Sequence, residues 1–449
     1  MDTPICDFVR AYAQSDTCRL HMPGHKGKAL IGMEQLDLTE IRGADSLYEA
    51  DGILAQSEAN ASALFGCRTF YSTEGSSQCI RAMLYLLSLY AKGCGRRPLI
   101  AAGRNAHKAF LTAAAMLDVE VSWLYPGDPV SYLSCGLTPE ELDDYLQNGP
   151  ERPMAVYLTS PDYLGRTAPI GRLAEVCHRH GVLLAVDNAH GAYLRFLPES
   201  MHPMDLGADI CCDSAHKTLP VLTGGAYLHL SAGMDFAVGE QAKNALMLFG
   251  STSPSYLILQ SLDAANGYLE GYSQRLQAMI PRLEACKLRL CQQGYSLYGS
   301  EPLKLAIQTK PYGYTGTQLA DLLRQKRIEP EFADPDFLVL MLSAEPDEDT
   351  LARLEQALCC IPPLPPIPDS WPAFTPGEQA MSIRDAVLAC SERLPVEQCL
   401  GRILAVASVG CPPAVPILVP GERIDANALA CFAYYGIDHC FVVRTSAEA

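Results

Sequence analysis

Between residues 70 and 230, short apolar runs alternate with stretches in which apolar residues recur at helical spacing. The apolar runs predict strands at 98–102, 119–124, 154–159, 182–187, 208–212 and 225–230. The stretches between them predict helices at 76–91, 107–117, 138–147 and 170–180. Strands that alternate with helices form βαβ units, so the pattern predicts an α/β fold with a mostly parallel central sheet. Ligands of such sheets bind beyond the carboxyl ends of the strands.

The rest of the chain predicts smaller units around this large domain. Residues 255–293 predict one or two long helices, and 302–360 predict a small α+β domain. A proline-dense stretch from Pro362 to Pro376 predicts a linker or an extended wrap. A C-terminal α+β unit follows, with a predicted helix near 382–392 and apolar runs at 403–409 and 415–419. The predicted division is an N-terminal segment, a large domain, a small domain and a C-terminal unit, at 1–60, 61–290, 291–365 and 366–449.

Composition excludes several classes of protein. Hydrophobic residues make up 49% of the 449 residues and charged residues 19%, which is typical of a chain with large cores and not of a disordered one. The net charge is −17, and the longest basic run is Arg96-Arg97, so no nucleic-acid partner is predicted. No apolar stretch reaches the roughly 18–20 residues of a membrane span, so no membrane partner is predicted either.

The 18 cysteines would indicate disulfides in a secreted protein. However, the opening residues Met1-Asp2-Thr3-Pro4 have neither the basic nor the apolar region of a secretion signal. No C-x-x-C pair occurs, which argues against a zinc ribbon or a redox dithiol, and no metal site is predicted. We therefore expect a cytoplasmic protein with reduced, buried thiols.

A lysine follows one of the predicted strands directly. Lys217 lies in the segment Asp213-Ser214-Ala215-His216-Lys217-Thr218, just after the strand at 208–212. An amine at that edge of the sheet can condense with an aldehyde, and the neighbouring hydroxyls and His216 can bind phosphate or tune the amine. Taken alone, a solvated surface lysine is the simpler interpretation.

An aspartate ends another predicted strand. Asp187 closes the apolar run LLAVD and opens the segment VDNAHG. A carboxylate beneath a pyridine nitrogen keeps that ring protonated and makes it an electron sink. A turn or helix-capping aspartate is the alternative interpretation.

Two further segments contain groups that suit a phosphorylated aromatic cofactor. Gly75, Ser76 and Ser77 precede a predicted helix, where backbone N–H groups and the helix dipole attract anions. Ordinary helix capping explains them equally well. His107 follows the strand at 98–102, where its ring can stack on a cofactor, although a surface histidine is the alternative.

The order of these signals is more informative than any one of them. A phosphate cup, a ring-stacking histidine, an aspartate and then a lysine thirty residues later is the order in fold-type I pyridoxal 5'-phosphate (PLP) enzymes. With these motifs in this order, the chain resembles the ornithine/lysine/arginine decarboxylases of the aspartate-aminotransferase fold, in their shorter bacterial form. The motifs that carry the resemblance are HMPGHKG (21–27), EGSS (74–77), RNAHKAF (104–110), SPDYLG (160–165), VDNAHG (186–191), SAHKT (214–218), STSPSY (251–256) and CPPAVPILVPGE (411–422).

The resemblance implies PLP as cofactor and a role for each candidate residue. Lys217 would form the Schiff base, Asp187 would pair with the pyridinium nitrogen, and His107 would stack on the ring. The other implied cofactor-binding residues are Gly75, Ser76, Ser77, Ser214 and His216 around the phosphate and His190 near the ring edge. The family's active site lies between two subunits, so the resemblance also implies a homodimer in which Thr252 or its neighbours reach the partner's phosphate. His25 and Lys26 would lie near the mouth of the site.

The chain departs from the family pattern at two positions. Asn188 stands where the family commonly has Glu, and Asp162 stands where it commonly has Thr. Asp162 either binds a cationic group or forms a turn after Pro161. The wing domain of the large acid-inducible decarboxylases is also missing, so a dimer is the default assembly.

The predicted function is PLP-dependent decarboxylation of arginine, lysine or ornithine to a polyamine-type amine. Lys217 or His216 would then protonate the substrate's Cα. Asp162, Glu422 and Asp45 are candidates for a negative pocket that holds the distal cation of the substrate. Two alternatives remain at this stage. One is another PLP reaction, such as transamination or aldol cleavage, because the fold does not determine the reaction. The other is a non-catalytic regulatory relative.

Overall fold

The structure is a computed structural model. It describes residues 1–125, 131–345, 347, 349–368, 372, 375–407 and 414–444. Parts of the predicted linker at 362–376, the apolar run at 403–409 and the motif at 411–422 lie outside the described residues. The chain forms two compact units: unit 1 is Met1–Ile100, Pro139–Ser160 and Pro169–Gln274, and unit 2 is Ala101–Thr138, Pro161–Ala168 and Arg275–Ala449. The predicted four-part division stays a prediction.

The large sheet has the strand order β1-β7-β6-β5-β4-β2-β3. Its strands are β1 (Arg68–Ser72), β2 (Leu99–Gly103), β3 (Glu120–Leu124), β4 (Ala155–Thr159), β5 (Leu183–Asp187), β6 (Ile210–Asp213) and β7 (Ala226–Leu230). β4 and β6 pair with β5 in parallel, whereas β7 pairs antiparallel with β6 and β1. All six predicted strands are present within two residues of their predicted bounds. β1 was not predicted, because RTFYS mixes polar and aromatic residues and does not form an apolar run.

Helices separate most of these strands. They are α1 (Pro4–Gln14), α2 (Ile53–Phe65), α3 (Gly75–Gly93), α4 (Lys108–Leu117), α5 (Pro139–Asn148), α6 (Ile170–Arg179), α7 (Ala215–Thr218), α8 (Phe236–Gly239), α9 (Ala242–Met247), α10 (Tyr256–Leu269), α11 (Tyr272–Gln292), α12 (Gly316–Gln325), α13 (Thr350–Cys359), α14 (Ile383–Leu388) and α15 (Ala426–Tyr434). The four helices predicted before residue 200 begin and end within two residues of prediction. The segment predicted as one or two long helices forms two, α10 and α11.

The core of unit 1 lies on both faces of its central strands. Every residue of β6 and β7 is buried, and β4 and β5 are buried except at one end. Strands covered on both faces read as continuous apolar runs, which is why their positions could be predicted from the sequence. β4, β5 and β6 each end in a polar residue, namely Thr159, Asp187 and Asp213.

Unit 2 contains two smaller sheets. One has the order β10-β11-β9-β8, and the other pairs β12 with β13. Their strands are β8 (Ser296–Tyr298), β9 (Lys304–Gln308), β10 (Phe332–Ala333), β11 (Phe337–Met341), β12 (Ser391–Pro395) and β13 (His439–Val443). The predicted C-terminal helix is shorter than expected, because the chain turns into β12 after Leu388. Ile403 and Leu404, in one predicted apolar run, make only isolated β-bridges.

The cysteines correct one prediction in part. Every cysteine among the described residues is a free thiol, but six are exposed: Cys18, Cys94, Cys291, Cys359, Cys360 and Cys390. In the part of the chain that the structure describes, no helix is both long enough and apolar enough to cross a bilayer.

Candidate active site

Asp187 and Lys217 lie at the carboxyl ends of two neighbouring parallel strands, at the same edge of the sheet. Asp187 is the last residue of β5, and Lys217 lies on the short helix α7, which follows β6. β5 and β6 pair in parallel with Asp187 opposite Cys212. Asp187 is 2% exposed, whereas Lys217 is exposed. The structure therefore brings the predicted acid and the predicted amine to one edge of unit 1.

Three donors converge on the Asp187 carboxylate. Oδ1 accepts from the Ala189 N–H at 3.2 Å and from the Cys212 thiol at 3.7 Å, and Oδ2 accepts from the Tyr157 hydroxyl at 3.2 Å. Burial raises the pKa of Asp187, because a charge removed from water is costly. The positive charge of Lys217 and the three donors act in the opposite direction. A cationic partner would therefore stabilise the ionised carboxylate further.

The turn after β5 brings a histidine to the lysine amine. His190 Nε2 lies 3.1 Å from Lys217 Nζ, and the His190 side chain is buried. The turn is tight at Gly191, where a Cβ atom would lie 1.9 Å from Asn188 Oδ1. Only glycine fits at this position, which gives the glycine of VDNAHG a packing reason.

The residues predicted to bind phosphate meet at the N-terminus of α3 and in the segment after β6. Gly75 begins α3 with φ +72°, a left-handed conformation that favours glycine. The Ser214 hydroxyl donates to Ser76 Oγ at 2.7 Å, so the two predicted serines meet. A Cβ atom at Gly75 would lie 3.9 Å from His216 Cε1, which places that ring beside the helix start. Ser77 is half-buried in the first turn of α3.

The His216 ring is fixed by the backbone and is held neutral. Its Nδ1 donates to the Gly225 carbonyl oxygen at 2.9 Å, which leaves Nε2 as the acceptor of the neutral ring. Burial lowers the pKa of His216, and the charge of Lys217 lowers it further. His216 therefore offers a neutral imidazole beside the N-terminus of α3.

This donor set fits a phosphorylated pyridine aldehyde such as PLP. An amine, a buried carboxylate and a hydroxyl-lined helix N-terminus match its aldehyde, its ring nitrogen and its phosphate. Two more hydroxyl oxygens, Thr159 Oγ1 and Thr218 Oγ1, are buried without a hydrogen-bond partner among the described residues. Thr159 pairs with Asp187 across β4 and β5, and Thr218 follows Lys217. Unpartnered hydroxyls at this edge are what a polar ligand would satisfy.

Comparison with known proteins identifies the family. The sequence profile of the Orn/Lys/Arg decarboxylase major domain matches residues 3–291, and that of the C-terminal domain matches residues 367–440. The chain belongs to the Orn/Lys/Arg decarboxylase family. This confirms the resemblance and, at the level of the family, the predicted function of PLP-dependent decarboxylation of a basic amino acid.

Relatives and solved structures agree with this family membership. The chain is 30% identical to an arginine decarboxylase of Halalkalibacterium halodurans, over 95% of this chain and 92% of the relative. It is 29% identical to an arginine decarboxylase of Bacillus subtilis, over 96% and 92% of the two chains. The crystal structure of the Francisella novicida lysine decarboxylase has a TM-score of 0.80 at 17% identity, covering 98% of this chain and 81% of that one. The predicted fold class is thereby confirmed.

One departure from the family pattern belongs to a buried network that the sequence did not reveal. Asn188 Nδ2 donates to Asp213 Oδ1 at 2.7 Å, and Asp213 Oδ2 accepts from His202 at 3.0 Å and from His229 at 3.1 Å. All four side chains are fully buried. Burial opposes ionisation of Asp213, but the two histidines outweigh it and lower the pKa. The amide of Asn188 thus faces a carboxylate, where the Glu common in the family would add a second negative charge.

We expect Asn188→Glu to destabilise the protein by about 3 kcal/mol at pH 7, because it buries a carboxylate against ionised Asp213. Burial would raise the pKa of the new glutamate, so the loss should shrink as the pH falls and that group becomes neutral. Urea unfolding at several pH values measures both effects. The control is Asn148→Glu, since Asn148 also donates to an aspartate, Asp144, at 2.8 Å, but on the surface. A loss at Asn188 no larger than at Asn148 would contradict the prediction.

For two predicted site residues, His107 and Thr252, the structure gives local contacts that do not test their roles. His107 lies in unit 2 and caps α4, where its Nδ1 accepts from the Ala109 N–H at 3.1 Å. Thr252 is exposed in unit 1, close to Ser251, whose N–H donates to Glu74. Ring stacking by His107 and phosphate binding by Thr252 stay predictions.

The three carboxylates suggested for the substrate's distal cation are engaged within the protein. Asp162 Oδ1 accepts two backbone N–H groups, from Leu164 and Arg166, so the turn interpretation of this residue holds. Glu422 pairs with buried Arg104 at 3.3 Å. Asp45 accepts the N–H groups of residues 52 and 54. All three carboxylates thus have contacts within the protein, and their suggested role toward the distal cation of the substrate stays a prediction.

Proposed function

We propose that this protein decarboxylates arginine with PLP held on Lys217. The observation that carries the proposal is the placement of the Lys217 amine and the buried Asp187 carboxylate at one sheet edge of unit 1, in a member of the Orn/Lys/Arg decarboxylase family. Curated relatives named arginine decarboxylase, matched over 95% and 96% of this chain, support arginine as the substrate. Each arginine would yield one CO2 and the corresponding amine.

The cofactor supplies an electron sink for the bond pair that CO2 leaves behind. Asp187 would keep the ring nitrogen protonated, because its buried carboxylate is stabilised by a neighbouring cation. Gly75, Ser76 and Ser214 would hold the phosphate at the N-terminus of α3. His216 and Ser77 complete that cradle.

Lys217 is also the group in position to return a proton to the substrate's Cα. Its Nζ lies on a short helix at the sheet edge, and His190 Nε2 at 3.1 Å can take up or supply a proton at that nitrogen. His216 is a poorer proton donor, since burial lowers its pKa. We therefore assign reprotonation to Lys217, and positioning of the ring edge to His190.

The proposal includes a homodimer with shared active sites, in the cytoplasm. An exposed Thr252 is available to a second copy of the chain, and it would contribute to the partner's phosphate site. His107 would stack on the cofactor ring.

The test is a substrate panel with purified protein and added PLP. We expect CO2 release from arginine to exceed that from lysine and ornithine by about 100-fold or more in kcat/KM, since binding of the distal group discriminates substrates. Sedimentation of the same preparation is expected to give twice the chain mass of 48.7 kDa. Release of CO2 from none of the three amino acids, or accumulation of the pyridoxamine form of the cofactor, would contradict the proposal.

A further inference from the structure

A tyrosine lies in the middle of a strand where an apolar residue would pack as well. Tyr157 is the central residue of β4 and is fully buried. It faces the same side of the sheet as Thr159, which pairs with Asp187 across β4 and β5. Its hydroxyl donates to Asp187 Oδ2 at 3.2 Å. A phenol hydroxyl buried in a sheet is costly unless it has a partner, and here the partner is the carboxylate of the candidate site.

We propose that Tyr157 is a positioning residue that keeps Asp187 ionised and oriented toward the cofactor nitrogen. This inference rests on the proposed function. It goes beyond that function because it assigns control of the protonation state of Asp187 to a side chain outside the recognised motifs.

The groups around Asp187 explain why one hydroxyl matters. The Cys212 thiol donates to Asp187 from β6, whereas the neighbouring Cys211 thiol donates to Asp213. The charge of Asp187 also acts on the thiols of Cys211 and of Cys79 on α3. Burial raises the pKa of all three thiols, that of Cys79 to about 12, so these groups are neutral. The favourable charge comes from Lys217 on α7.

The bonding of Lys217 would change during the proposed reaction, because this side chain would both hold the cofactor and return a proton to the substrate. The hydrogen bond from Tyr157 does not depend on the state of Lys217. It therefore supports the Asp187 carboxylate throughout turnover.

The expected consequence follows from one shared proton. With the cofactor bound, Asp187 and the ring nitrogen would share that proton, and a donor on the carboxylate favours the form in which the nitrogen keeps it. Without the Tyr157 hydroxyl the proton would move toward Asp187. The ring would then be a weaker electron sink.

The test is Tyr157→Phe in protein loaded with PLP that carries 15N at the ring nitrogen. We expect the 15N resonance to shift toward its unprotonated position, and kcat for arginine to fall about tenfold with KM changed less than about twofold. The matched control is Tyr227→Phe. Tyr227 is also fully buried in the sheet, on β7, but its hydroxyl has no hydrogen-bond partner among the described residues.

A second measurement separates positioning from simple loss of packing. In an Asp187→Asn background, Tyr157→Phe should cause no further 15N shift, since its effect passes through the carboxylate. An unshifted resonance in Tyr157→Phe, or equal effects of Tyr157→Phe and Tyr227→Phe, would overturn the inference while leaving the proposed function intact. Wild-type protein that binds no PLP would overturn both.

Discussion

Lys217→Ala is expected to lower CO2 release from arginine by on the order of 10⁴-fold, the largest effect of any single substitution in this chain. The substitution removes both the amine that holds the cofactor and the proton donor assigned to the substrate's Cα. His190 Nε2, at 3.1 Å from Lys217 Nζ, would remain but cannot replace a primary amine in a Schiff base. The fold should be retained, because the Lys217 side chain is exposed and its backbone lies in a single helical turn.

Borohydride reduction of the PLP-loaded protein followed by peptide mass spectrometry checks this result directly. In wild type the reduced cofactor should be found on the peptide that contains residue 217, and in Lys217→Ala on no peptide. Lys92→Ala is the control, since Lys92 is an exposed lysine at the end of α3 in the same unit. Cofactor attached to another lysine in wild type would show that the assignment of Lys217 is wrong.

Asp187→Asn is expected to lower kcat by on the order of 10³-fold while PLP still binds. The amide cannot take the negative charge that keeps the ring nitrogen protonated. The substitution leaves Ser76, Ser214 and the α3 N-terminus, the proposed phosphate site, unchanged. Activity and cofactor binding should therefore separate in this variant.

Stability should change in the opposite direction from activity. Burial raises the pKa of Asp187 above the roughly 3.9 of an unfolded aspartate, so ionisation costs folding free energy as the pH rises above that value. A neutral asparagine removes this cost. The cofactor-free variant is therefore expected to melt at a temperature no lower than wild type at pH 7.

Asp209→Asn is the matched control for both measurements. Asp209 lies at the opposite ends of the same strands, just before β6, where Oδ2 accepts from the Leu184 N–H at 2.8 Å and from His178 at 3.0 Å. Its substitution should lower stability and leave kcat nearly unchanged. Equal kinetic losses in the two variants would mean that Asp187 has no special role.

The sequence by itself determined the strands of the central sheet and which polar residues lie at their carboxyl ends. Strands buried on both faces must be apolar along their length, so β4, β5 and β6 were visible as runs that break at polar residues. Because parallel strands end at one edge, Asp187 and the segment with Lys217 were expected near a ligand there, and Gly75, Ser76 and Ser77 were expected near a helix N-terminus. Their roles toward a cofactor came from the order of these motifs and the resemblance to the family.

Only the tertiary structure decided which side chains support that site. Tyr157 and Asp187 are thirty residues apart, and Asn188 and Asp213 are twenty-five apart, so no local pattern marks either hydrogen bond. The same holds for the carboxylate of Asp162, whose partners became visible only in the folded turn. Apolar periodicity records which face of an element is buried, and motifs record which groups react. The pairing of buried polar atoms depends on how distant segments pack, which is why it could be observed only in the fold.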